Sequence, residues 1–400
     1  MARKTLELLA PAGDEAALRA AVCAGADAVY LGYAAFGARA SAVNFGDEAL
    51  EKAVAYAHTY HVRVHVTVNT LVKQGELEAV DAALAVIDRC GADAVIVQDL
   101  GVAALARARY PGLKLHASTQ LSICDAYGAR FAKAQGFSRV VLARECQMAE
   151  IRRASAEEIE TEVFAHGALC ASMSGQCLMS SLSGGRSGNR GRCAQPCRQV
   201  MAMNGQTKAF LSLKDLMLRD ALPQLLDAGV TSIKLEGRLK RPEYVAVVTD
   251  SYRRALDAMA RGGFCQASDE EKKQLRQAYH RGGFTVGHAL GAEDVALLCP
   301  ERVGHGGVPV GRVTKVRGAL ADISLTEALH DGDGLQLRGR EDYELRYAGP
   351  SRSAGEEATV RLRPDAPVCT GDAAVRLTDA AQDAWAQGLT EKAIPVTMRF

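Results

Sequence analysis

The chain has 400 residues, of which 48% are hydrophobic and 24% charged, and its net charge is +1. This length is enough for two or more globular domains, and no apolar run approaches the roughly 20 residues of a membrane-spanning helix. The opening residues, MARKTLELLAPAGD, enter a strand pattern without the apolar segment of a secretory signal. Because the 11 cysteines then lack a secretory context, we expect a reducing cytoplasm, where clustered thiols bind metals or take part in catalysis.

Short strand-like segments alternate with alanine-rich amphipathic segments through the first part of the chain. The strand-like segments are 6–13, 27–32, 63–69, 93–99, 114–120, 139–145, 161–167 and 232–238. Eight strands that alternate with helices over about 240 residues are typical of a (β/α)8 barrel. A doubly wound sheet is the alternative, but no GxGxxG motif follows the first strand. We therefore predict a TIM-like barrel.

The connection between the seventh and eighth strands is much longer than the others and contains an insertion at 168–214. A long insertion after a barrel strand belongs to the carboxyl-terminal face, where barrel enzymes have their active sites. We predict that residues 1–282 form one domain, which contains the barrel, this insertion and trailing helices.

From about residue 284 the pattern of residue types changes. Apolar and polar residues alternate between turns that are rich in Gly, Asp and Pro, and this pattern predicts a small antiparallel β-barrel at 283–378. The last part, 379–400, has a helical pattern followed by the strand-like IPVTMRF. This ending suggests either a further region of the protein or a strand that pairs with a partner.

Four cysteines lie within one window of 28 residues: Cys170, Cys177, Cys193 and Cys197. Their spacing is C-x6-C-x15-C-x3-C, whereas zinc modules usually have a close pair at each end. Widely spaced thiolates over a barrel mouth are more typical of a 4Fe–4S cluster. Structural zinc and four free buried cysteines are the alternatives. The other seven cysteines are isolated and read as small core residues.

The same region is depleted of acidic residues. Positions 163–214 contain no Asp or Glu in 52 residues, although the whole chain has 47. The glycine-rich segment GGRSGNRGR and the residues after it supply Arg186, Arg190, Arg192 and Arg198. Arginines on such a loop are suited to bidentate contacts with RNA phosphates. Alternatively, they neutralise the thiolates or pair with acids elsewhere in the chain.

The eighth strand contains the sequence KLEGR, in which Lys234, Glu236 and Arg238 share one face by period-2 alternation. This face could bind a carboxylate-bearing metabolite and supply an acid or base. The alternative is a stack of structural salt bridges inside the barrel. His166 and Glu145 are further catalytic candidates because they lie near strand ends. Other polar residues near strand ends are Asn69, Gln98, His116, Gln120 and Arg144.

The cysteine window also resembles a known protein family. The segment ETEVFAHGALCASMSGQCLMSS resembles the signature of the collagenase-like peptidase family of unknown catalytic type, family U32. Further similar motifs are LELLAPAG, DAVYLG, VLARE, NRGRCAQPCR, LSLKDL and IKLEGRLKRPEYV. The resemblance covers about residues 5–290, and FTVGHALG resembles the start of the β-barrel that follows in many members.

The resemblance implies an activity other than proteolysis. Family members resemble O2-independent hydroxylases that carry a 4Fe–4S cluster on four cysteines, which match Cys170, Cys177, Cys193 and Cys197; the fourth ligand differs between branches. Some act on a cytidine of 23S ribosomal RNA, and some act on the wobble uridine of transfer RNA with prephenate as a needed metabolite. Others act in anaerobic ubiquinone synthesis.

We therefore predict O2-independent hydroxylation of an RNA base. The KLEGR face would bind prephenate or a similar acidic metabolite, and the arginine loop and β-barrel would hold RNA. An electron donor or accessory protein is an expected further partner. One alternative is a peptidase, although the sequence contains neither HExxH nor GxSxG. The other is a hydroxylation factor for a small aromatic quinone precursor.

Overall fold

The structure, a computed structural model, describes residues 5–39, 42–391 and 393. The predicted strand-like end, 394–400, lies outside the described residues. In chain order the strands are β1 (Glu7–Pro11), β2 (Ala28–Gly32), β3 (Arg63–Val68), β4 (Ala94–Val97), β5 (Lys114–Ala117), β6 (Arg139–Val141), β7 (Glu160–Ala168), β8 (Met201–Met203), β9 (Gln206–Lys208), β10 (Asp215–Met217), β11 (Ser232–Leu235), β12 (Phe284–Thr285), β13 (Val308–Arg317), β14 (Leu320–Leu325), β15 (Gly334–Arg338), β16 (Asp342–Arg346), β17 (Glu357–Arg361) and β18 (Ala373–Thr378). The α-helices are α1 (Glu15–Cys23), α2 (Asp47–Thr59), α3 (Leu77–Arg89), α4 (Leu100–Arg109), α5 (Ala126–Ala134), α6 (Met148–Ser155), α7 (Met179–Gly184), α8 (Leu222–Asp227), α9 (Pro242–Ala260), α10 (Asp269–Ala278), α11 (Asp294–Leu297) and α12 (Ala380–Gln387).

Eight parallel strands, β1 to β7 and then β11, close into a barrel. Strand β11 completes the ring because Ile233 pairs with Leu8 of β1 on one side and with Val163 of β7 on the other. Strands β1, β2 and β11 are buried along their whole length, which explains why the sequence shows near-continuous apolar runs instead of strict alternation. The predicted (β/α)8 barrel is confirmed.

Four charged side chains form an ionic core inside the barrel: Glu7 on β1, Arg139 on β6, Glu162 on β7 and Lys234 on β11. Arg139 Nη1 lies 2.5 Å from Glu7 Oε1 and 3.1 Å from Glu162 Oε2. Lys234 Nζ lies 2.9 Å from Glu162 Oε1. Two carboxylates therefore balance two cations, which offsets the cost of burying each charge. These contacts match the alternative interpretation of Lys234 as part of a structural salt-bridge stack.

Two histidines lie beside this ionic core and are held neutral. Burial lowers the pKa of His65 to about 4, and burial together with the neighbouring His65 lowers the pKa of His116 well below its usual value. Their rings meet edge to face with centroids 4.7 Å apart. His116, one of the polar candidates near strand ends, is therefore part of the packed barrel interior.

The described chain divides into two compact units. The first unit runs up to Gln266 and takes in Phe284–Val303 and the described residues from Leu389 onward, and the second consists of Ala267–Gly283 and Gly304–Gly388. The segment that begins at Phe284 returns to the first unit because β12 pairs with β10. This division differs from the predicted boundary at 282/283, which assigned all of this segment to the second domain.

The second unit is built on an antiparallel sheet with the strand order β16-β15-β18-β13-β14-β17. Its core is apolar and includes Val310, Ile323 and Leu337. The outer strands β16 and β17 are not paired with each other in the described part of the chain, so this sheet is a half-barrel and not a closed barrel. Helix α10 belongs to this unit, since Gln277 Nε2 donates to the Arg376 carbonyl at 3.2 Å and Arg376 Nε donates to Gln277 Oε1 at 3.0 Å.

None of the helices in the described residues combines the length and the apolar character needed to cross a membrane. The longest, α9, has 19 residues and carries charged side chains such as Arg253 and Asp257, which form an ion pair at 2.7 Å.

Removal of one carboxylate from the ionic core should destabilise the protein strongly. In Glu162→Gln the buried cations Lys234 and Arg139 lose a counter-charge, and we expect the free energy of unfolding at pH 7 to fall by about 3–5 kcal/mol. Glu48→Gln is the matched control because Glu48 pairs with Lys52 on the surface, and its unfolding midpoint in urea should not move. An equally small effect of Glu162→Gln would show that the ionic core does not hold the barrel.

Wild type and Glu162→Gln should also differ in how their stability depends on pH. Burial would raise the pKa of Glu162, but the charges of Lys234 and Arg139 lower it from 4.5 to about 2. The stabilisation from the Glu162 carboxylate is therefore fully present above pH 4.5 and is lost as the pH falls towards 2. Urea unfolding at several pH values should show the gap between wild type and Glu162→Gln closing over this range.

Candidate active site at the barrel mouth

The insertion at 168–214 starts and ends at the carboxyl-terminal end of β7. Strand β10, which follows the insertion, runs antiparallel to β7 and pairs Asp215 with Ala168 and Met217 with His166. Within the insertion, α7 and a small hairpin of β8 and β9 are the regular elements. The predicted insertion after the seventh strand is therefore confirmed, and it lies at the mouth of the barrel, where barrel enzymes carry their active sites.

The structure brings the four window cysteines into one neighbourhood. Burial raises the pKa of the Cys197 thiol, and Cys170, Cys193 and Cys177 raise it further against the opposing charge of Arg198. Among the described residues, no three of these thiols have sulfur atoms all within 4.8 Å of one another. A tetrahedral zinc site with Zn–S bonds of about 2.3 Å requires sulfurs closer together than this. Cys177 and Cys193 lie close together, since a Cβ on Gly188 would be 3.6 Å from the Cys177 carbonyl oxygen and 3.8 Å from Cys193 Cβ.

Hydrogen-bond donors are directed at one of the sulfurs. The backbone N–H of Gln195 donates to Cys193 Sγ at 3.3 Å, and the Ser180 hydroxyl on α7 donates to the same sulfur at 3.8 Å. Gln195 has a left-handed backbone with φ of 54°, which forms part of the tight turn between Cys193 and Cys197. Donors to a thiolate sulfur are a feature by which proteins tune metal–sulfur clusters.

The turn between Cys170 and Cys177 is fastened to the barrel. Ser174 in this turn donates its backbone N–H to Glu145 Oε1 at 2.8 Å, and its carbonyl accepts from the Ser122 hydroxyl at 2.6 Å. Glu145 was predicted as a catalytic residue from its place after the sixth strand. The structure gives it a contact with the cysteine-bearing insertion.

Next to the cysteines, Glu236 lies between two arginines. Arg39 Nη2 is 3.3 Å from Glu236 Oε1, and Arg144 Nη2 is 3.3 Å from Glu236 Oε2. Burial would raise the pKa of Glu236, but the positive charges of Arg39, Arg144, Arg238 and Lys234 hold it below its ordinary value. Glu236 is therefore ionised at neutral pH and serves as an acceptor.

Arg238 is the third arginine of this site. Its Nη1 donates to the Thr67 hydroxyl at 2.7 Å, but its Nε and Nη2 are buried without a hydrogen-bond partner. Burial lowers the pKa of Arg238 to about 10, so it is still charged at neutral pH. Gly32 and Gly37 allow its guanidinium to approach the backbone closely, because a Cβ at these positions would lie 3.1 and 3.6 Å from its nitrogens.

These residues form an arginine cradle, which we define as Arg39, Arg144, Arg238 and Glu236. Three cations and one carboxylate leave a net charge of +2 at neutral pH, and Arg238 has unused donors. The Arg144 backbone N–H donates to Ser174 Oγ at 3.3 Å, so the cradle adjoins the turn between Cys170 and Cys177. The arrangement can bind an anion next to the cysteines.

His166 is not part of this constellation. Its Nδ1 lies 3.4 Å from the Tyr252 hydroxyl of α9, and the rings of Tyr244, Tyr252 and Phe284 surround it. Burial lowers its pKa to about 3, so the imidazole is neutral. The register shift between Lys234 and Leu235, where β7 pairs with β11, breaks strict alternation and accounts for His166 facing helix α9.

The four loop arginines have different surroundings. Arg190 forms a bidentate ion pair with Glu76, with N–O distances of 2.6 and 3.0 Å. Arg198 donates to the carbonyls of Leu213 and Leu169. These two arginines attach the loop to the barrel, as the alternative interpretation suggested. Arg186 and Arg192 are exposed, and neither forms an ion pair among the described residues.

Several polar residues predicted near strand ends do meet at the mouth. Gln98 Nε2 donates to the Gln120 carbonyl at 3.2 Å, and Gln120 Nε2 approaches the Asn69 carbonyl at 3.4 Å. Gln98 Oε1 is buried without a partner. Arg39 was missed at the sequence level, because it lies in a βα loop and no local motif links it to Glu236, which is 197 positions away.

Comparison with known proteins places this site in a family. The model of peptidase family U32 matches residues 13–297. The chain is 39% identical over 348 residues to "23S rRNA 5-hydroxycytidine C2501 synthase" of Escherichia coli, a match that covers 83% of this chain and 52% of the relative. It is 36% identical over 269 residues to "tRNA hydroxylation protein P1" of Bacillus subtilis, covering 64% of each.

A third relative is named for proteolysis and not for RNA modification. The "Collagenase" of Porphyromonas gingivalis is 32% identical over 374 residues, with 83% of this chain and 86% of that protein covered. The chain spans about half the length of the Escherichia coli relative and about two thirds of the Bacillus subtilis protein. The family model covers most of the chain, including all barrel strands except β1, the cysteines and the arginine cradle. The chain therefore belongs to peptidase family U32, as the resemblance of its cysteine window predicted.

Proposed function

We propose that this protein takes part in O2-independent hydroxylation of an RNA base, with the chemistry at the barrel mouth. The observation that carries the proposal is the convergence of four thiols beside the arginine cradle. The names of two relatives support RNA as the substrate: one is an rRNA 5-hydroxycytidine synthase and the other a tRNA hydroxylation protein. The target would accordingly be a cytidine of ribosomal RNA or the wobble uridine of transfer RNA.

The residues present fit a 4Fe–4S cluster better than zinc. Cys170, Cys177, Cys193 and Cys197 would hold it, because their unpaired spacing in the chain is more typical of such a cluster than of zinc. A backbone N–H is directed at Cys193 Sγ. When bound, such a cluster supplies one-electron redox chemistry at the barrel mouth. Arg198 anchors the segment that carries Cys197 by its bonds to two backbone carbonyls.

The arginine cradle would bind the acidic co-substrate, prephenate or a similar metabolite. A dicarboxylate would balance its net charge of +2, and the free Nε and Nη2 of Arg238 offer the paired donors that a carboxylate accepts. Glu236 orients Arg39 and Arg144 by its two ion pairs. Because it is ionised, it acts as an acceptor and not as a general acid.

RNA would be held on the insertion. Arg186 and Arg192 are exposed within an acid-free stretch of 52 residues, and such cations contact phosphates. The target base would be extruded into the barrel mouth, since chemistry on its ring cannot take place within a base stack. Arg190 and Arg198 would shape the loop and not touch RNA, because their guanidinium groups are engaged within the protein.

A peptidase activity, as the name of the Porphyromonas gingivalis relative indicates, is the second candidate. A cysteine peptidase requires a thiolate beside a histidine base. His166 is four positions before Cys170, but its ring is buried among aromatic side chains with a pKa of about 3, whereas Cys170 is exposed. This geometry does not favour proteolysis.

Substitution of a cluster ligand should abolish both iron binding and RNA modification. We expect anaerobically purified wild type to be brown and to contain about four iron atoms per chain. Cys170→Ser should lose most of the iron and the broad visible absorbance. Cys369→Ser is the matched control, because Cys369 is also exposed but belongs to the second unit, and it should match wild type.

Nucleoside mass spectrometry of ribosomal and transfer RNA then tests the substrate. A deletion strain should lack one hydroxylated nucleoside, which wild type and Cys369→Ser restore and Cys170→Ser does not. An unchanged nucleoside profile in the deletion strain would reject RNA as the substrate and leave the quinone-precursor factor. Peptide cleavage that persists in Cys170→Ser would support the peptidase.

Replacement of Arg238 should separate ligand binding from stability. Arg238→Met removes two buried donors that have no partner as well as the Nη1 bond to Thr67. These effects oppose each other, so the melting temperature should change little. Binding of prephenate, measured by calorimetry, should weaken at least about tenfold through loss of charged hydrogen bonds. Arg89→Met, on the exposed end of α3, should bind like wild type, and an equal affinity of Arg238→Met would contradict the cradle.

A further inference from the structure

Two consecutive residues after β6 reach different parts of the site. Arg144 belongs to the arginine cradle: it pairs with Glu236 and its guanidinium carbon lies 3.6 Å over the Phe164 ring. Glu145 turns to the insertion and meets Ser174. We name the segment 171–176, between the first two cysteines, the cysteine turn.

The contacts of Glu145 are all directed at this turn. Glu145 Oε1 accepts the Ser174 backbone N–H at 2.8 Å and the Ser174 hydroxyl at 3.2 Å, and Ser174 Oγ in turn accepts the backbone N–H of Arg144 at 3.3 Å. Ser174 is 2% exposed and Glu145 is half-buried, so water is partly excluded from these bonds, and a charged acceptor there is worth more than in bulk water. They tie the middle of the cysteine turn to the barrel.

Residues after β5 hold the other side of the turn. The Ser122 hydroxyl donates to the Ser174 carbonyl at 2.6 Å, and Gln176 Nε2 donates to the Ser122 hydroxyl at 2.9 Å. Gly175 has φ of 78°, and a Cβ there would lie 2.3 Å from the Gln120 carbonyl oxygen. The turn therefore fits only against this surface, in one position.

We propose that Glu145 is a positioning residue: its carboxylate fastens the cysteine turn and so sets the positions of Cys170 and Cys177 for metal binding. This inference rests on the proposed function only in so far as the two cysteines hold a cluster. It replaces the expectation that Glu145 is an acid or base of the reaction. Both observed hydrogen bonds use Oε1 as an acceptor, a role that an amide oxygen can also fill.

The comparison of Glu145→Gln with Glu145→Ala separates the two roles. The Gln variant keeps an oxygen acceptor for Ser174 but cannot exchange a proton, whereas the Ala variant loses the acceptor. A positioning role thus predicts that Gln rescues, and an acid–base role predicts that Gln is as harmful as Ala. Glu150→Ala is the matched control, because Glu150 caps the backbone N–H of Gln147 at the start of α6 and does not contact the turn.

The first readout is hydrogen exchange of the full-length protein without metal. In Glu145→Ala the amides of the cysteine turn should exchange at least about tenfold faster than in wild type, since a charged hydrogen bond that closes the turn is lost. Glu145→Gln and Glu150→Ala should keep wild-type protection in the turn. Unchanged protection in Glu145→Ala would overturn the inference.

The second readout is cluster retention after anaerobic reconstitution. Glu145→Ala should lose its visible absorbance to a chelator at least about tenfold faster than wild type, and Glu145→Gln should resemble wild type. Gly175→Ala should mimic Glu145→Ala by displacing the same turn, while Gly184→Ala, which meets no atom within 4 Å, should not.

The outcomes distinguish this inference from the function on which it rests. Wild type that takes up no iron would refute the proposed cluster, and the exchange data would still decide whether Glu145 holds the turn. Loss of RNA hydroxylation in Glu145→Gln with a protected turn and a retained cluster would contradict the inference that Glu145 acts by positioning instead of acid–base catalysis.

Discussion

The interaction on which the barrel mouth depends is the ionic core, in which Glu7 and Glu162 balance Arg139 and Lys234. Burial of any one of these charges alone would be costly, so strands β6, β7 and β11 have to stay in register for the charges to balance. Lys234 and Glu236 are two positions apart in the chain. The contact that fixes Lys234 beside Glu162, at 2.9 Å, therefore also fixes where the chain leaves β11 and where Glu236 and Arg238 emerge.

Above this core, charge is no longer balanced. Arg39, Arg144 and Arg238 face one carboxylate, Glu236, and the guanidinium of Arg238 has buried nitrogens without partners. A folded protein rarely retains unsatisfied buried donors, so these nitrogens support the proposed binding site. The cysteines lie beside the arginine cradle, and the loop arginines Arg190 and Arg198 hold the insertion over it. The proposed redox chemistry and the proposed anionic co-substrate would thus share one location.

The sequence was sufficient for features that depend on local pattern. Alternating strands and helices predicted the barrel, and the long connection after the seventh strand predicted the insertion. Features that depend on distant pairing could not be predicted: Arg144 and Glu236 are 92 positions apart, and Arg39 lies in a loop with no recognisable motif. His166 was predicted at the mouth because it lies near a strand end, but a register shift between β7 and β11 directs it to α9.

For the charged residues, too, the local pattern was visible in the sequence and the distant contacts were not. Lys234, Glu236 and Arg238 share a strand face in the sequence, yet only burial and partners show that Lys234 belongs to the ionic core while Arg238 keeps free donors. The acid-free insertion indicated an anionic partner. A count of acidic residues within the insertion overstates its available positive charge. Glu76, which lies outside the insertion, forms an ion pair with Arg190.

The measurement that tests the central claim most directly is isotope labelling of the hydroxylated nucleoside. Cells that depend on this protein for the modification would be grown under 18O2, and their RNA nucleosides would be analysed by mass spectrometry. If the hydroxylation is independent of O2, the hydroxylated nucleoside should form at wild-type level and carry no 18O. Incorporation of 18O into that nucleoside would contradict O2-independent hydroxylation.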